Sequence, residues 1–258
     1  MSEQPYQNKT VVITGASGGL GSAVASDFYR LGANVALLDL SHDALAAKAA
    51  ELDLAEERSL LLDVDVSNEQ AVHAAVDAVV ERFGRIDVLC NIAGICGPSA
   101  RAEDYTFHDF ESVYRVNVFG TFLTMKYTLP VMQKQGAGSV INTGSVSGID
   151  GYPFEIGYGS SKAAVIELTR NAANENGGNG VTVNCVSPGW IDTAMMHTVV
   201  GSYTDVGIDD VNSNVTLGPL NRPCTAEEVA KPYVFLASDD ARIINGANLL
   251  CDGGMILG

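Results

Sequence analysis

Cations are scarce in this chain. Its 258 residues hold 15 Lys and Arg against 31 Asp and Glu, a formal net charge of −16. A field of that sign repels phosphate backbones and anionic bilayers, which argues against nucleic acid or membrane surfaces as partners. Cysteine is sparse as well: Cys90, Cys96, Cys185, Cys224 and Cys251 are scattered and odd in number. They lack the CxxC or His/Cys spacing of a zinc site, so no metal is expected, and they read as free thiols in a reducing compartment. No window approaches the roughly 18 apolar residues of a membrane span. The opening "MSEQPYQNKTVVITG" has no basic-then-apolar leader pattern. A soluble cytoplasmic protein is expected. No repeat, low-complexity tract or linker breaks the order, which leaves one domain over residues 1–258.

What is present is a recurring alternation. Short Val/Ile/Leu-rich runs at 9–14, 34–39, 59–64, 86–92, 138–144, 181–187 and 247–252 are separated by longer amphipathic stretches near 19–31, 42–53, 68–83, 107–134, 157–176 and 226–237. That pattern is one of buried parallel strands joined by crossover helices. It predicts an α/β Rossmann fold, with a doubly wound seven-stranded parallel sheet covered by helices on both faces. Ser67 and Thr225, each followed by a Glu two or three residues on, are the expected N-caps. The segment 190–222 has no clear period. A loop of that length in a compact domain is usually a binding loop or lid.

The stretch "VVITGASGGLGSAVA" puts Gly15, Gly19 and Gly21 where the first strand should turn into a helix. Glycines there let the chain turn tightly and let backbone N–H groups approach a pyrophosphate that the helix dipole favours. Gly15, Ser17, Gly18, Gly19, Leu20 and Gly21 therefore form the candidate cradle for a dinucleotide. Asp39 ends the second strand 24 residues after Gly15, near the spacing at which a carboxylate meets the adenosine ribose, with Leu40 beside it. A 2′-phosphate would meet like charge there, and no Lys or Arg occurs at 16–29 or 40–47 to offset it. NAD is thus expected over NADP.

Tyr158 and Lys162 stand four residues apart in "GYGSSKAAVIELTR", on one face of a helix and able to project into one cleft. A phenol of pKa near ~10 is a poor base at neutral pH, but a unit charge about 5 Å away at an effective dielectric of ~20 is worth roughly two pKa units. Lys162 is expected to bring the phenol into working range. Ser145, 13 residues earlier, would hydrogen-bond a substrate oxygen on which charge develops.

These pieces resemble the classical short-chain dehydrogenases/reductases along essentially the whole chain: "TGASGGLG", Asp39, "DVS" (65–67), "NIAG" (91–94), "VNVFG" (116–120), "TGSVSG" (143–148), "YGSSK" (158–162), "NCVSPGWIDT" (184–193) and "CDGG" (251–254). The resemblance implies a catalytic tetrad of Asn117, Ser145, Tyr158 and Lys162. It also implies adenine contacts from Asp65 and Val66, a cleft wall of Asn91, Ala93 and Gly94, and nicotinamide contacts from Pro188, Gly189, Ile191 and Thr193. Lys162 would reach the nicotinamide ribose, Asn117 would hold a water of a proton path, and a homotetramer would form through the helices near 107–134 and 157–176. Ile92 and Gly144 depart from the family pattern, which usually has Asn and Ser there; both departures concern strand support. The spacing YxxxK, rather than YxxMxxxK, argues against an enoyl reductase.

Between Arg170 and Arg222 there is no Lys or Arg, while Asp192, Asp205, Asp209 and Asp210 are present. Acyl carriers, CoA esters and sugar phosphates would want cations at the entrance. The expected substrate is an uncharged secondary alcohol or its ketone, walled by Ile95, Ile149, Tyr152, Phe154, Trp190, Met195 and Met196. His197 reads as a surface loop residue. The competing reading is a regulator or scaffold that binds NAD(H) on the same fold without turnover.

Overall fold

The computed structural model describes residues 4–206 and 217–256. Seven parallel strands, β1 (Thr10–Thr14), β2 (Asn34–Asp39), β3 (Ser59–Asp63), β4 (Val88–Asn91), β5 (Gly138–Thr143), β6 (Val181–Pro188) and β7 (Asn248–Cys251), form one sheet in the order β3-β2-β1-β4-β5-β6-β7. Alternate residues of β1 face opposite ways, as the pleat demands. Val11 and Ile13 pack with Phe28 and Tyr233, beneath α1 (Gly19–Arg30) and α8 (Ala226–Leu236). Val12 packs on the other face with Val76 and Met125, beneath α3 (Glu69–Phe83) and α5 (Thr121–Gln135). Each such side chain contributes about 1.5–3 kcal/mol of burial, so both faces of the sheet are fixed. α2 (His42–Glu51), α4 (Phe107–Tyr114) and α6 (Ile156–Asn176) complete the expected helices.

The strand order reverses between β1 and β4. Gly15 follows β1, Asp39 ends β2, and Thr143 ends β5, so the chemistry-bearing residues gather outside the C-terminal edge at the switch point, where such sheets bind ligands.

Three local expectations are corrected. The cap of α3 is Asn68, whose Oδ1 accepts from the Ala71 N–H at 3.1 Å; Ser67 instead donates its backbone N–H and its hydroxyl to Asp65 Oδ1, each at 2.8 Å. Thr225 does cap α8, in a full capping box with Glu228. The continuous helix expected over 107–134 is interrupted by a π-helical turn at Arg115–Gly120 between α4 and α5. Within 190–222, the chain forms α7 (Ala194–Ser202) and a 3₁₀ turn at Tyr203–Val206. The rest of that loop between 207 and 216, with Asp209 and Asp210, lies outside the described residues.

Candidate active site

A cleft of about 480 Å³ opens along the C-terminal edge of the sheet. All the predicted site residues line it except Asn91 and Asn117. The backbone dictates the glycines at two points. Gly15 sits at φ +66°, and a Cβ there would lie 2.8 Å from Ala93 Cα; a Cβ on Gly21 would collide with the Gly15 carbonyl oxygen. Only glycine lets the β1–α1 turn and the end of β4 approach this closely, which leaves the first turn of α1 open for a pyrophosphate.

Asp39 is held in place by its neighbours. Its Oδ2 accepts from the Ser17 N–H at 2.9 Å and the Ser17 hydroxyl at 2.6 Å, and Oδ1 accepts from the Leu40 N–H at 2.8 Å. Lys162 is the only Lys or Arg among the described lining residues, against Asp39, Asp65 and Glu155.

The catalytic candidates converge. Ser145, just past the end of β5, lines the cleft together with Tyr158, and its hydroxyl favours the ionised phenol. Lys162, one helical turn along α6, places Nζ 5.6 Å from the Tyr158 ring centroid and donates to the Thr143 carbonyl at 2.8 Å. Asn117 lies just behind the cleft wall, in the π-helical turn. Its side chain bridges the Ile95 main chain, with Oδ1 accepting at 2.8 Å and Nδ2 donating at 2.9 Å, and Nδ2 also donates to Ser161 Oγ at 2.9 Å. A Cβ on Gly94 would be 3.2 Å from Asn117 Oδ1 and 3.4 Å from Lys162 Nζ, so Gly94 is the thin partition between Asn117 and Lys162.

The electrostatics run against one expectation. Burial pushes the Tyr158 phenol well above the ordinary tyrosine range, with Cys96 and Glu155 adding to the rise and the Ser145 hydroxyl opposing it. Lys162 is pulled down to about 8 by burial, opposed by Cys185 and Cys96. Desolvation outweighs the help expected from Lys162.

Asn91 is a correction. Its amide donates to Asn142 Oδ1 at 2.9 Å and its Oδ1 accepts from Thr124 at 2.7 Å, so the side chain serves a buried polar network between β4, β5 and α5. Ile149 is exposed and outside the cleft, whereas the other six apolar wall candidates line it. His197 is on the surface, as expected, but on α7, paired with Asp192 at 3.0 Å. The two departures from the family pattern have physical reasons. A side chain on Gly144 would collide with Ser187 Oγ and come within 2.9 Å of Cys185 Sγ. Ile92 donates its N–H to Thr14 and packs against the core.

Cys96, Glu155, Val199 and the Thr143 carbonyl are site features missed in the sequence. Glu155, three residues before Tyr158, was the findable one: a carboxylate in an otherwise small and apolar run.

The comparisons with known proteins agree with this geometry. A family model described as "Enoyl-(Acyl carrier protein) reductase" matches residues 15–256. Levodione reductase of Leifsonia aquatica is 38% identical over 257 residues, covering 96% of this chain and 94% of its own. The chain belongs to the short-chain dehydrogenases/reductases. Two solved relatives hold a dinucleotide: an NAD+-bound xylitol dehydrogenase (34% identity, TM-score 0.92, 96% of this chain and 99% of that one) and ElxO with NADP bound (34%, TM-score 0.87, 96% and 98%). As a short-chain dehydrogenase/reductase, this protein is an oxidoreductase with a site for a nicotinamide cofactor. Among its described residues no helix is long and apolar enough to cross a membrane.

Proposed function

We propose that the protein is an NAD-dependent oxidoreductase that interconverts a neutral secondary alcohol and its ketone, with Tyr158 as acid and base. The observation that carries this reading is the convergence of Ser145, Tyr158 and Lys162 on one cleft, with Lys162 Nζ 5.6 Å from the Tyr158 ring centroid. When bound, the nicotinamide takes or gives a hydride, and its oxidised ring is cationic. Ser145 then holds the substrate oxygen, and Tyr158 passes a proton to or from it over a single hydrogen bond. A charge at the Lys162 distance is worth about 3 kcal/mol at an effective dielectric of ~20, or about two pKa units. That leverage works against burial whenever the amine is protonated. Asn117, in the π-helical turn, is read as the hinge of a proton path beyond Lys162.

Asp39, pinned by Ser17 at the adenosine end, supports NAD: a ribose can donate to it, whereas a 2′-phosphate would be repelled with no cation to compensate. Asp65 and Val66 are assigned to adenine, and Pro188, Gly189, Ile191 and Thr193 to the nicotinamide amide. Tyr152, Phe154, Trp190, Met195 and Met196 supply an apolar wall, which supports an uncharged substrate. A xylitol dehydrogenase and a levodione reductase among the relatives accord with that class. Free cysteines support a cytoplasmic setting.

The exposed Phe107, Phe119 and Phe122 on α4, α5 and the turn between them, together with exposed Ala163 on α6, support a homotetramer through these helices. The test of function is nicotinamide absorbance followed with NAD and NADP over diols, cyclic alcohols, hydroxysteroids and sugars. NAD-linked turnover of a neutral alcohol is expected. Tight NADH binding with no turnover across the panel would favour the regulator, and a preference for NADP would overturn the reading of Asp39.

A further inference from the structure

α7 closes the substrate end of the cleft through Met195, Met196 and Val199, yet none of its nine residues is fully buried. A helix that short is marginal on its own, and little packing holds this one down. What fixes it lies at its C-terminal end. Ser202 Oγ is 2.7 Å from Ser99 Oγ. Tyr203, only 5% exposed, donates its hydroxyl to Glu155 Oε1 at 3.1 Å. Glu155 is the N-cap position of α6, three residues before Tyr158. The capping helix is thus tied directly to the first turn of the catalytic helix.

Glu155 is an unusual anchor. Its Oε2 is enclosed without a hydrogen-bond partner. The titratable side chains facing it are Tyr158 on its own helix, Tyr152 from the preceding loop, Cys96 from the segment after β4, and Tyr203. All are acids, and no cation is among them. Burial raises the carboxyl, and the Ser147 and Tyr203 hydroxyls oppose that rise. With no cation among these groups, hydroxyls from Ser147 and Tyr203 are its compensation, and Tyr203 is the one that comes from the end of α7.

We propose that the Tyr203–Glu155 hydrogen bond is the latch that seats α7 over the substrate, making Tyr203 and Glu155 positioning residues for alcohol binding. This rests on the dehydrogenase reading for its kinetic consequence, but not for its structural one. Tyr203→Phe and Glu155→Ala should each raise the KM for the alcohol roughly five- to tenfold, with kcat changed less than about twofold and the dinucleotide KM unmoved. Glu155→Gln, whose amide oxygen still accepts from Tyr203, should stay within about twofold of the parent. The double variant Tyr203→Phe/Glu155→Ala should be no worse than Glu155→Ala, since the two residues make one interaction.

A second readout needs no turnover. Trp190 is the sole tryptophan and lines the cleft at the approach to α7. Acrylamide quenching of its fluorescence should increase in Tyr203→Phe and Glu155→Ala and not in Glu155→Gln. If no alcohol is turned over by the parent, the dehydrogenase reading falls while this pattern still supports the latch. Parent-like KM and quenching in Tyr203→Phe would overturn the latch. So would a Glu155→Gln variant as impaired as Glu155→Ala, because that places the effect on the charge. Should Glu155→Ala fail to fold, Tyr203→Phe against Glu155→Gln gives the same decision.

Discussion

Lys162 shows what a buried amine costs. It is 4% exposed, and its amine is held to about 8 by burial, against an ordinary 10.5. Between those values the unfolded chain keeps a proton that the folded one has lost, so this group makes stability rise with pH across the window. Below about 8 the folded protein carries a buried ammonium whose main partner is the Thr143 carbonyl. Lys162→Met, which keeps the apolar stem, should therefore unfold at higher denaturant at pH 7. The expected gain is on the order of 1–2 kcal/mol after the Thr143 carbonyl loses its donor, and it should fade as pH nears 10. A variant less stable than the parent at pH 7 would contradict this. Asp39→Ala should weaken NAD about tenfold or more, because it removes an acceptor for the ribose and frees the Ser17 turn. Titration by NADH fluorescence checks it, and unchanged affinity would remove Asp39 from the site.

At the scale of elements, local rules explain both what was legible and what was not. The five inner strands were visible because a strand buried on both faces is a run of apolar residues whatever its surroundings, and the half-buried edge strands β3 and β7 still carry leucine runs. The π-helical turn at Arg115–Gly120 was hidden: "RVNVFG" has ordinary helical composition, and the tertiary bonds made from that turn, Asn117 to the Ile95 main chain, join residues 22 apart in sequence. Nor did α7 have a period to detect, because its face is not one buried stripe. The cap of α3 turned on one residue. Asn68→Ala should cost about 1 kcal/mol, whereas Ser67→Ala should cost less, since Asn68 alone bonds the helix N–H. Urea unfolding of the two variants decides it, and a reversed order would restore Ser67 as the cap.

Over the whole molecule, function depends on the register of one sheet. Thr14 pairs with Asn91, Asn91 with Asn142, and Thr143 with Val186, so turns distant in sequence end in line at one edge. Motif order made that legible. The sign of the shift on Tyr158 was not, because desolvation depends on what closes over the pocket, which no spacing reveals. The exposed phenylalanines Phe119 and Phe122, at 49% and 47%, belong to this scale too. Phe119→Glu/Phe122→Glu should shift the protein to smaller species in light scattering after size-exclusion chromatography, with the fold intact by circular dichroism. A parent that already elutes as a monomer would contradict the tetramer.

Tyr158→Phe tests the acid and base directly, assayed with NAD and the best alcohol of the panel while NADH binding is measured on the same sample. Unaltered dinucleotide affinity is expected, together with a loss of kcat of roughly 10²-fold or more. Retention of most of the parent's kcat would show that the proton moves by another route.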